Sequence, residues 1–308
     1  MKKQIITVSR RTDIPAFYAD WFRKKLETGF VLYPNPFSQK PVYVDLKPDN
    51  VKVFVFWTRN PKPLFKHLDY IDDKYGKNHY MHFTINGYPK ILERKSPPID
   101  YAISLAENLA KRYGDEYVQW RFDPIIISDI ADKKFIINKF NYISERLTGI
   151  TKRCYFSFVD LYNKTKRNLL TIEKKYNIKF YNPTIDEQIE LIKTLIDIAN
   201  QRNIKLYACT EDTLVNYIPE LQIGHCVDID LVNKICKDGT NNEYKISPTR
   251  PGCHCYESKD IGYYDSCAYG CIYCYANSNP EIAFKNSIEY MKKGFSMDKI
   301  QDFNRIYE

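Results

Sequence analysis

The chain has no continuously apolar window of about 18 residues, so the sequence predicts no transmembrane helix and no membrane partner. It starts with MKKQIITVSRRTDIP, whose apolar run is too short for a secretory signal. Internal repeats, low-complexity tracts and Gly/Ser linkers are also missing. We therefore expect a cytoplasmic protein. Because disulfides are rare in a reducing cytosol, its nine cysteines need another explanation.

Disorder is excluded by composition, since 44% of the 308 residues are apolar and 15% are aromatic. The formal net charge is +8, which permits contact with nucleic acid without establishing it.

Short apolar runs alternate with helical patterns along the chain. The runs predict strands buried on both faces, at residues 4–9, 51–57, 80–84, 117–121, 154–158 and 204–209. Helical spacing covers residues 16–28, 100–112, 133–147, 184–203 and 281–293. Thr184 and Glu187 have the spacing of a capping box. The alternation predicts a parallel α/β fold, either a full or partial barrel or an open sheet, with a β-hairpin inserted near residues 29–46.

Polar and charged residues follow each predicted strand, where parallel strands form their ligand sites. Ordinary loop polarity and helix capping explain any one of them, but six such strand ends together indicate a polar pocket. The charged residues at these ends that we take as candidate ligand contacts are Arg11, Asp13, Arg59, Arg121, Asp123, Asp160 and Glu211.

Cys267, Cys271 and Cys274 follow the spacing C-x₃-C-x₂-C. Structural zinc sites generally use four ligands in two pairs, whereas here three thiols crowd into one short loop. Three thiolates on a 4Fe–4S cluster leave one iron open to a small molecule. A structural zinc or iron site without catalysis is the alternative.

With the aromatic Tyr273 before the third cysteine, this motif resembles that of the radical S-adenosylmethionine superfamily. The resemblance implies a 4Fe–4S cluster on the three cysteines and S-adenosylmethionine on the open iron. It also implies that Tyr273 lies near the adenine and that the fold is a six-stranded partial (β/α) barrel of TIM type. An external reductant of flavodoxin or ferredoxin type would start cleavage to a 5′-deoxyadenosyl radical, which abstracts hydrogen from a substrate.

The motif usually follows the first strand in that superfamily, but here it follows the sixth. We therefore expect a circularly permuted barrel over residues 1–210. A cysteine-rich extension over residues 211–308 would carry the cluster loop and a closing helix, packed on the barrel as one unit. The superfamily's Gly-Gly-Glu signature is absent after the second strand. Arg11, Arg59 or Arg121 would bind the cofactor's carboxylate. Asp13, Asp123, Asp160 or Glu211 would bind its amino group or ribose. The alternative for each arginine is an ordinary salt bridge within the barrel.

The whole chain resembles an uncharacterised bacterial family, the domain of unknown function numbered 1848. The matching stretches are SRRTDIPAFYADWF, VFWTRNPKPL, WRFDPI, SFVDLYNKTKRN and ESKDIGYYDSCAYGCIYCYAN. The segment CIYCYAN is also similar to the cluster loop of spore photoproduct lyase, which adds nucleic-acid lesions to the candidate substrates.

A second group of cysteines comprises Cys209, Cys226, Cys253 and Cys255. Four thiolates would bind an auxiliary 4Fe–4S cluster or zinc, with His225 and His254 as substitute ligands. Unligated surface thiols at Cys253 and Cys255 are the alternative. Cys154 is expected in the core within a strand, and Cys236 at a buried position of a helix.

The alternative function is a non-catalytic iron–sulfur or zinc protein. It would bind nucleic acid or a protein partner through a basic, tyrosine-rich face, and the chain has 26 tyrosines for such a surface.

Overall fold

A computed structural model describes residues 2–35, 38, 40–236 and 243–295. The strands are β1 (Gln4–Val8), β2 (Phe30–Pro34), β3 (Pro41–Asp45), β4 (Val51–Thr58), β5 (His79–Thr84), β6 (Val118–Arg121), β7 (Ile127–Ser128), β8 (Arg153–Phe156), β9 (Phe180–Tyr181), β10 (Lys205–Ala208), β11 (Gln222–Ile223) and β12 (Lys259–Asp260). The helices are α1 (Ile14–Phe17), α2 (Ala19–Thr28), α3 (Lys62–Phe65), α4 (Leu68–Tyr75), α5 (Ile99–Tyr113), α6 (Lys133–Arg146), α7 (Asn163–Tyr176), α8 (Ile185–Asn200), α9 (Asp212–Tyr217), α10 (Ile229–Ile235) and α11 (Pro280–Lys293).

Eight strands form one sheet in the order β11-β10-β8-β6-β5-β4-β1-β12, and every neighbouring pair is parallel. The α/β class is confirmed, and each predicted apolar run contributes a strand. The predicted number of six strands is wrong, because β11 and β12 extend the two edges. No pairing joins these edge strands in the described residues, so the sheet is open there.

The central strands form the core because both of their faces are covered. In β4 all residues except Trp57 are buried, including Phe54 and Phe56. Helix α5 presents one apolar face to the sheet, with Ala106 and Leu109 buried. Fully burying a phenylalanine contributes about 1.5–3 kcal/mol, so such strands hold the sheet in place.

Four of the five predicted helices appear as single helices, and the capping box of Thr184 and Glu187 is confirmed at the start of α8. The fifth, predicted over residues 16–28, is two helices that meet at Tyr18. Asp13 caps the first of them, accepting a hydrogen bond from the Ala16 amide at 2.9 Å. The chain therefore turns directly after the carboxyl end of β1.

The inserted hairpin is confirmed, since β2 and β3 pair antiparallel from Phe30–Asp45 to Pro34–Pro41. Its residues 36, 37 and 39 lie outside the described residues, as do residues 237–242 and 296–308 of the predicted extension. Within the described ranges, that extension supplies both edge strands of the sheet. No helix of the described chain combines the length and the apolar character that crossing a membrane requires.

Candidate functional site

Polar side chains from the carboxyl ends of four strands meet in one network, as the parallel sheet leads us to expect. This polar network also includes two residues from connecting loops. Its members are Arg59, Asn86, Glu93, Arg121, Asp123, Ser157 and Tyr273, all buried or half-buried.

Arg59, which follows β4, is at one end of the network. Its guanidinium forms an ion pair with Glu93 at 2.9 Å and donates to the Tyr273 hydroxyl at 2.6 Å. Tyr273 in turn donates to the Glu93 carboxylate. The backbone amide of Arg59 donates to Asp13 at 2.7 Å, which connects the ends of β1 and β4. The Glu93 side chain is buried and that of Arg59 is mostly buried, with exposed fractions of 2% and 12%.

Asn86 connects the Arg59–Glu93 end of the network to the end that contains Asp123 and Arg121. Its amide donates to Glu93 at 3.1 Å and to the Asp123 carbonyl at 3.0 Å, while its oxygen accepts from the Asp123 amide at 2.9 Å. The Asp123 carboxylate accepts from Ser157 at 2.5 Å and from Arg121 Nη2 at 2.6 Å. Arg121 Nη1 donates to the Cys226 sulfur at 3.0 Å. One hydrogen-bonded network therefore runs from Tyr273, beside Cys274, to the second group of cysteines.

The loop carrying Cys267, Cys271 and Cys274 follows β12 and lies over the carboxyl edge of the sheet. Ser266 accepts from Tyr18 at 2.5 Å, and the Ile272 amide donates to Leu92 at 3.1 Å. Only glycine fits at position 262, between β12 and the cysteine loop, because a Cβ there would lie 2.0 Å from the Ser9 Oγ. Asp260 binds that hydroxyl at 2.6 Å, so the loop starts close against the end of β1.

The three thiols of this loop lie within electrostatic reach of one another. Burial raises the pKa of all three, to about 12 for Cys271, and neighbouring thiols of the loop add to the shift for Cys267 and Cys271. Metal binding must therefore displace their protons. The nearby Tyr269 hydroxyl is buried and has no hydrogen-bond partner among the residues that the structure describes.

As the side chains stand, no three His, Cys, Asp or Glu residues of the described chain form a group arranged to hold a metal ion. A 4Fe–4S cluster needs a wider arrangement than a single ion does, because each thiolate binds a different iron. Three thiols in one loop match the thiolate donors that such a cluster needs at three of its irons.

The second group of cysteines is brought together from three separate segments. The sulfurs of Cys209 and Cys226 are 3.4 Å apart, and Cys255 shares hydrogen bonds with both Cys226 and Cys253. All four side chains are buried, which argues against surface thiols. Hydrogen bonds with Cys209 and Cys255 hold the pKa of Cys226 well below its usual range, and Arg121 adds to this shift.

His225 and His254, the predicted substitute ligands, lie beside this group of cysteines, but their rings contact other partners. The His225 ring contacts the His254 carbonyl at 2.5 Å, and the His254 ring contacts Asp212 at 2.8 Å. Cys154 and Cys236 are buried, as predicted, although Cys236 lies at the cap just beyond α10 rather than within a helix.

Not every predicted contact residue points into the polar network. Asp160 forms an ion pair with Arg250, and its side chain is 46% exposed. Arg11 lies beside β12, where it donates to the Gly262 carbonyl at 3.3 Å. The sequence places these residues after a strand, but it does not determine where their side chains point.

Two buried groups were missed by the sequence reasoning. Glu93 is buried in the connection of residues 85–98 between β5 and α5, and the length of that connection was the available signal. His82 points inward from β5, where its ring stacks on Trp57 at 4.7 Å and contacts the Cys226 carbonyl at 2.7 Å. Burial lowers the pKa of His82 to about 4, so this ring is neutral at physiological pH.

Glu211 gives a pH-dependent contribution to stability. Burial raises its pKa from 4.5 to about 7, although its carboxylate accepts from the Phe158 amide at 2.7 Å. The folded state holds the proton to higher pH than the unfolded chain. The cost of burying Glu211 is therefore absent below pH 4.5 and grows as the pH rises to about 7.

We expect Glu211→Gln to stabilise the protein at neutral pH, since glutamine keeps the acceptor for Phe158 without a charge. Its free energy of unfolding should match wild type near pH 4 and exceed it by roughly 1–3 kcal/mol at about pH 8. Urea unfolding across this range is the measurement. The control is Glu107→Gln, which removes an exposed carboxylate paired with Lys111 at 2.8 Å and should give no such gain. A gain for Glu211→Gln that is the same at every pH would contradict the assignment.

A family model described as "Domain of unknown function (DUF1848)" matches residues 5–276. No curated protein matches the chain. The matched segment includes every cysteine of the sequence and, apart from Gln4 of β1, all eight strands of the sheet.

Proposed function

The chain belongs to the DUF1848 family, and we propose that it is a radical S-adenosylmethionine enzyme whose Cys267, Cys271 and Cys274 bind a 4Fe–4S cluster. The observation that carries the proposal is the position of the cysteine loop over the carboxyl edge of a parallel sheet, in contact with the polar network. When bound, the cluster and S-adenosylmethionine supply reductive cleavage to a 5′-deoxyadenosyl radical for hydrogen abstraction.

The order of strands supports a permuted version of the superfamily's partial barrel. The loop follows β12, which pairs with β1 at one edge of the sheet. Counted from β12, the cysteine loop follows the first strand of the sheet and Asp13 follows the second. The C-terminal strand thus supplies the position that the superfamily gives to its first strand. The partial barrel of TIM type is part of the proposal.

The residues of the polar network would position the cofactor. Arg59 holds Tyr273 in place, which fixes the aromatic ring beside the third cysteine. Asp13 lies between β1 and the loop, and burial raises its pKa to about 7. This carboxyl is our candidate for the amino group of S-adenosylmethionine, in place of the missing Gly-Gly-Glu signature. Arg59 or Arg121 would bind the cofactor's carboxylate.

Nucleic acid is the substrate class that the rim of the site favours. Tyr162, Tyr264 and Tyr275 are between 41% and 45% exposed on loops at the carboxyl end of the sheet. Lys164 and Arg11 lie 5.7 Å and 5.3 Å from the Tyr264 ring centroid. Exposed rings beside cations suit stacked bases and phosphates.

The test is a cofactor assay on the full chain. After anaerobic reconstitution with iron and sulfide, we expect about four irons per chain on the three cysteines. Addition of dithionite and S-adenosylmethionine should then release 5′-deoxyadenosine, measured by chromatography. A cluster-loaded protein that forms no 5′-deoxyadenosine would favour the alternative, a non-catalytic iron–sulfur or zinc protein.

A further inference from the structure

The second group of cysteines has features that a set of ordinary core thiols does not need. Cys209 directly follows β10, Cys226 follows β11, and Cys253 and Cys255 precede β12. Folding buries all four, with exposed fractions between 2% and 7%. The sulfurs of Cys209 and Cys226 are 3.4 Å apart, and side-chain hydrogen bonds continue the row from Cys226 through Cys255 to Cys253.

The surroundings of this row favour negative charge on sulfur. The buried guanidinium of Arg121 donates to the Cys226 sulfur at 3.0 Å, and the Thr249 hydroxyl donates to the Cys253 sulfur at 3.5 Å. Hydrogen bonds from outer residues to the ligands are typical of metal sites. The buried guanidinium of Arg121 would be attracted much less strongly by a neutral thiol than by a thiolate.

We propose that Cys209, Cys226, Cys253 and Cys255 bind one zinc ion as four thiolates. Zinc–sulfur bonds of about 2.3 Å give a tetrahedron with sulfur–sulfur edges of about 3.8 Å. The Cys209–Cys226 separation of 3.4 Å is close to this edge. The thiolates of a 4Fe–4S cluster bind separate irons and stand farther apart, so the spacing favours a single ion. Binding requires the row of sulfurs to close around the ion.

Four protein ligands leave zinc no open position, so the role is structural. Through Cys209, the ion would link the segment that contains Cys253 and Cys255 to the end of β10. That segment leads into β12 and the loop of Cys267, which follows at once. Zinc would therefore hold the start of the cluster loop against the sheet, whether or not that loop carries out radical chemistry.

Metal analysis of the full chain tests this proposal. Protein purified anaerobically from medium containing both iron and zinc should hold about one zinc per chain. X-ray absorption at the zinc edge should give four sulfur neighbours at about 2.3 Å and no nitrogen or oxygen neighbour. This measurement uses the wild-type protein, so it does not depend on whether a variant folds.

Two variants assign the ligands. Cys226→Ala should lose the zinc, while iron on the loop of Cys267 stays at about four per chain. The control is Cys236→Ala, a buried cysteine whose thiol donates to the Lys52 carbonyl at 3.4 Å, and it should keep the zinc. About eight irons without zinc would overturn the proposal in favour of a second cluster. Metal-free wild-type protein with disulfides among these cysteines would also overturn it. Failure of 5′-deoxyadenosine formation leaves the zinc result unaffected, so the two proposals can fail separately.

Discussion

Replacing Cys271 with alanine should remove the iron–sulfur centre and abolish cleavage of S-adenosylmethionine. Two thiolates cannot hold a 4Fe–4S cluster that needs three, and Cys271 is the most buried thiol of its loop. We expect iron to fall from about four per chain to below about one after reconstitution. Formation of 5′-deoxyadenosine should fall to the background of protein without a cluster. Iron analysis, visible absorbance and product chromatography check this.

The control for this variant is again Cys236→Ala, which removes a buried thiol outside both groups of cysteines. It should keep both the iron and the activity, and a thermal melt of each variant shows whether the fold survives. If Cys271→Ala remains folded and retains about four irons, the cysteine loop is not the cluster site.

Most of the sheet was predictable because its signal is local. The apolar runs that become β1 and β4 are buried on both faces, so their composition alone identifies them. The edge strands β11 and β12 are two residues long, and Gln222 and Lys259 in them are polar and exposed. They are strands only because β10 and β1 offer them backbone partners. Helix α7 also has a weak local signal, because few of its residues are apolar and its exposed face is rich in lysine and arginine. The sequence analysis therefore missed it.

The candidate site was predictable where spacing or strand ends determine it. The cysteine motif is local, and Arg59 and Arg121 follow strands that converge by topology. Glu93 is not determined in this way, since it reaches the network from the middle of a long connection and pairs with Cys271 in an isolated bridge. Asp160 shows the opposite case. The end of a strand positions the backbone of Asp160, but the Asp160 carboxylate forms an ion pair with Arg250 at the surface.

The polar network also shows what holds the cysteine loop. Tyr273 joins the network through its side chain, and its hydroxyl contacts both Arg59 and Glu93. A buried ion pair contributes little net stability, because desolvation offsets most of the attraction. Its effect is to fix the position of Tyr273. Removing one partner would therefore disturb the loop and leave a buried charge.

Arg59→Met should be among the most destabilising single substitutions in this chain. It leaves the Glu93 carboxylate, 2% exposed, without its cation. Breaking a buried pair in this way costs about 3–5 kcal/mol of unfolding free energy. Adding Glu93→Gln to Arg59→Met should recover part of this loss, because it removes the unpaired charge. Urea unfolding of the two single variants and the double variant gives the interaction energy directly.

The matched control is Lys111→Met, which breaks the Lys111–Glu107 pair at 2.8 Å on the surface of α5. Exposed pairs of this spacing contribute about 0.3–0.5 kcal/mol, so this loss should be small. Equal losses for Arg59→Met and Lys111→Met would mean that Glu93 remains solvated. A double variant whose loss is the sum of the two single losses would mean that Arg59 and Glu93 do not interact. Either result would remove the ion pair as the support for Tyr273 and for the loop it positions.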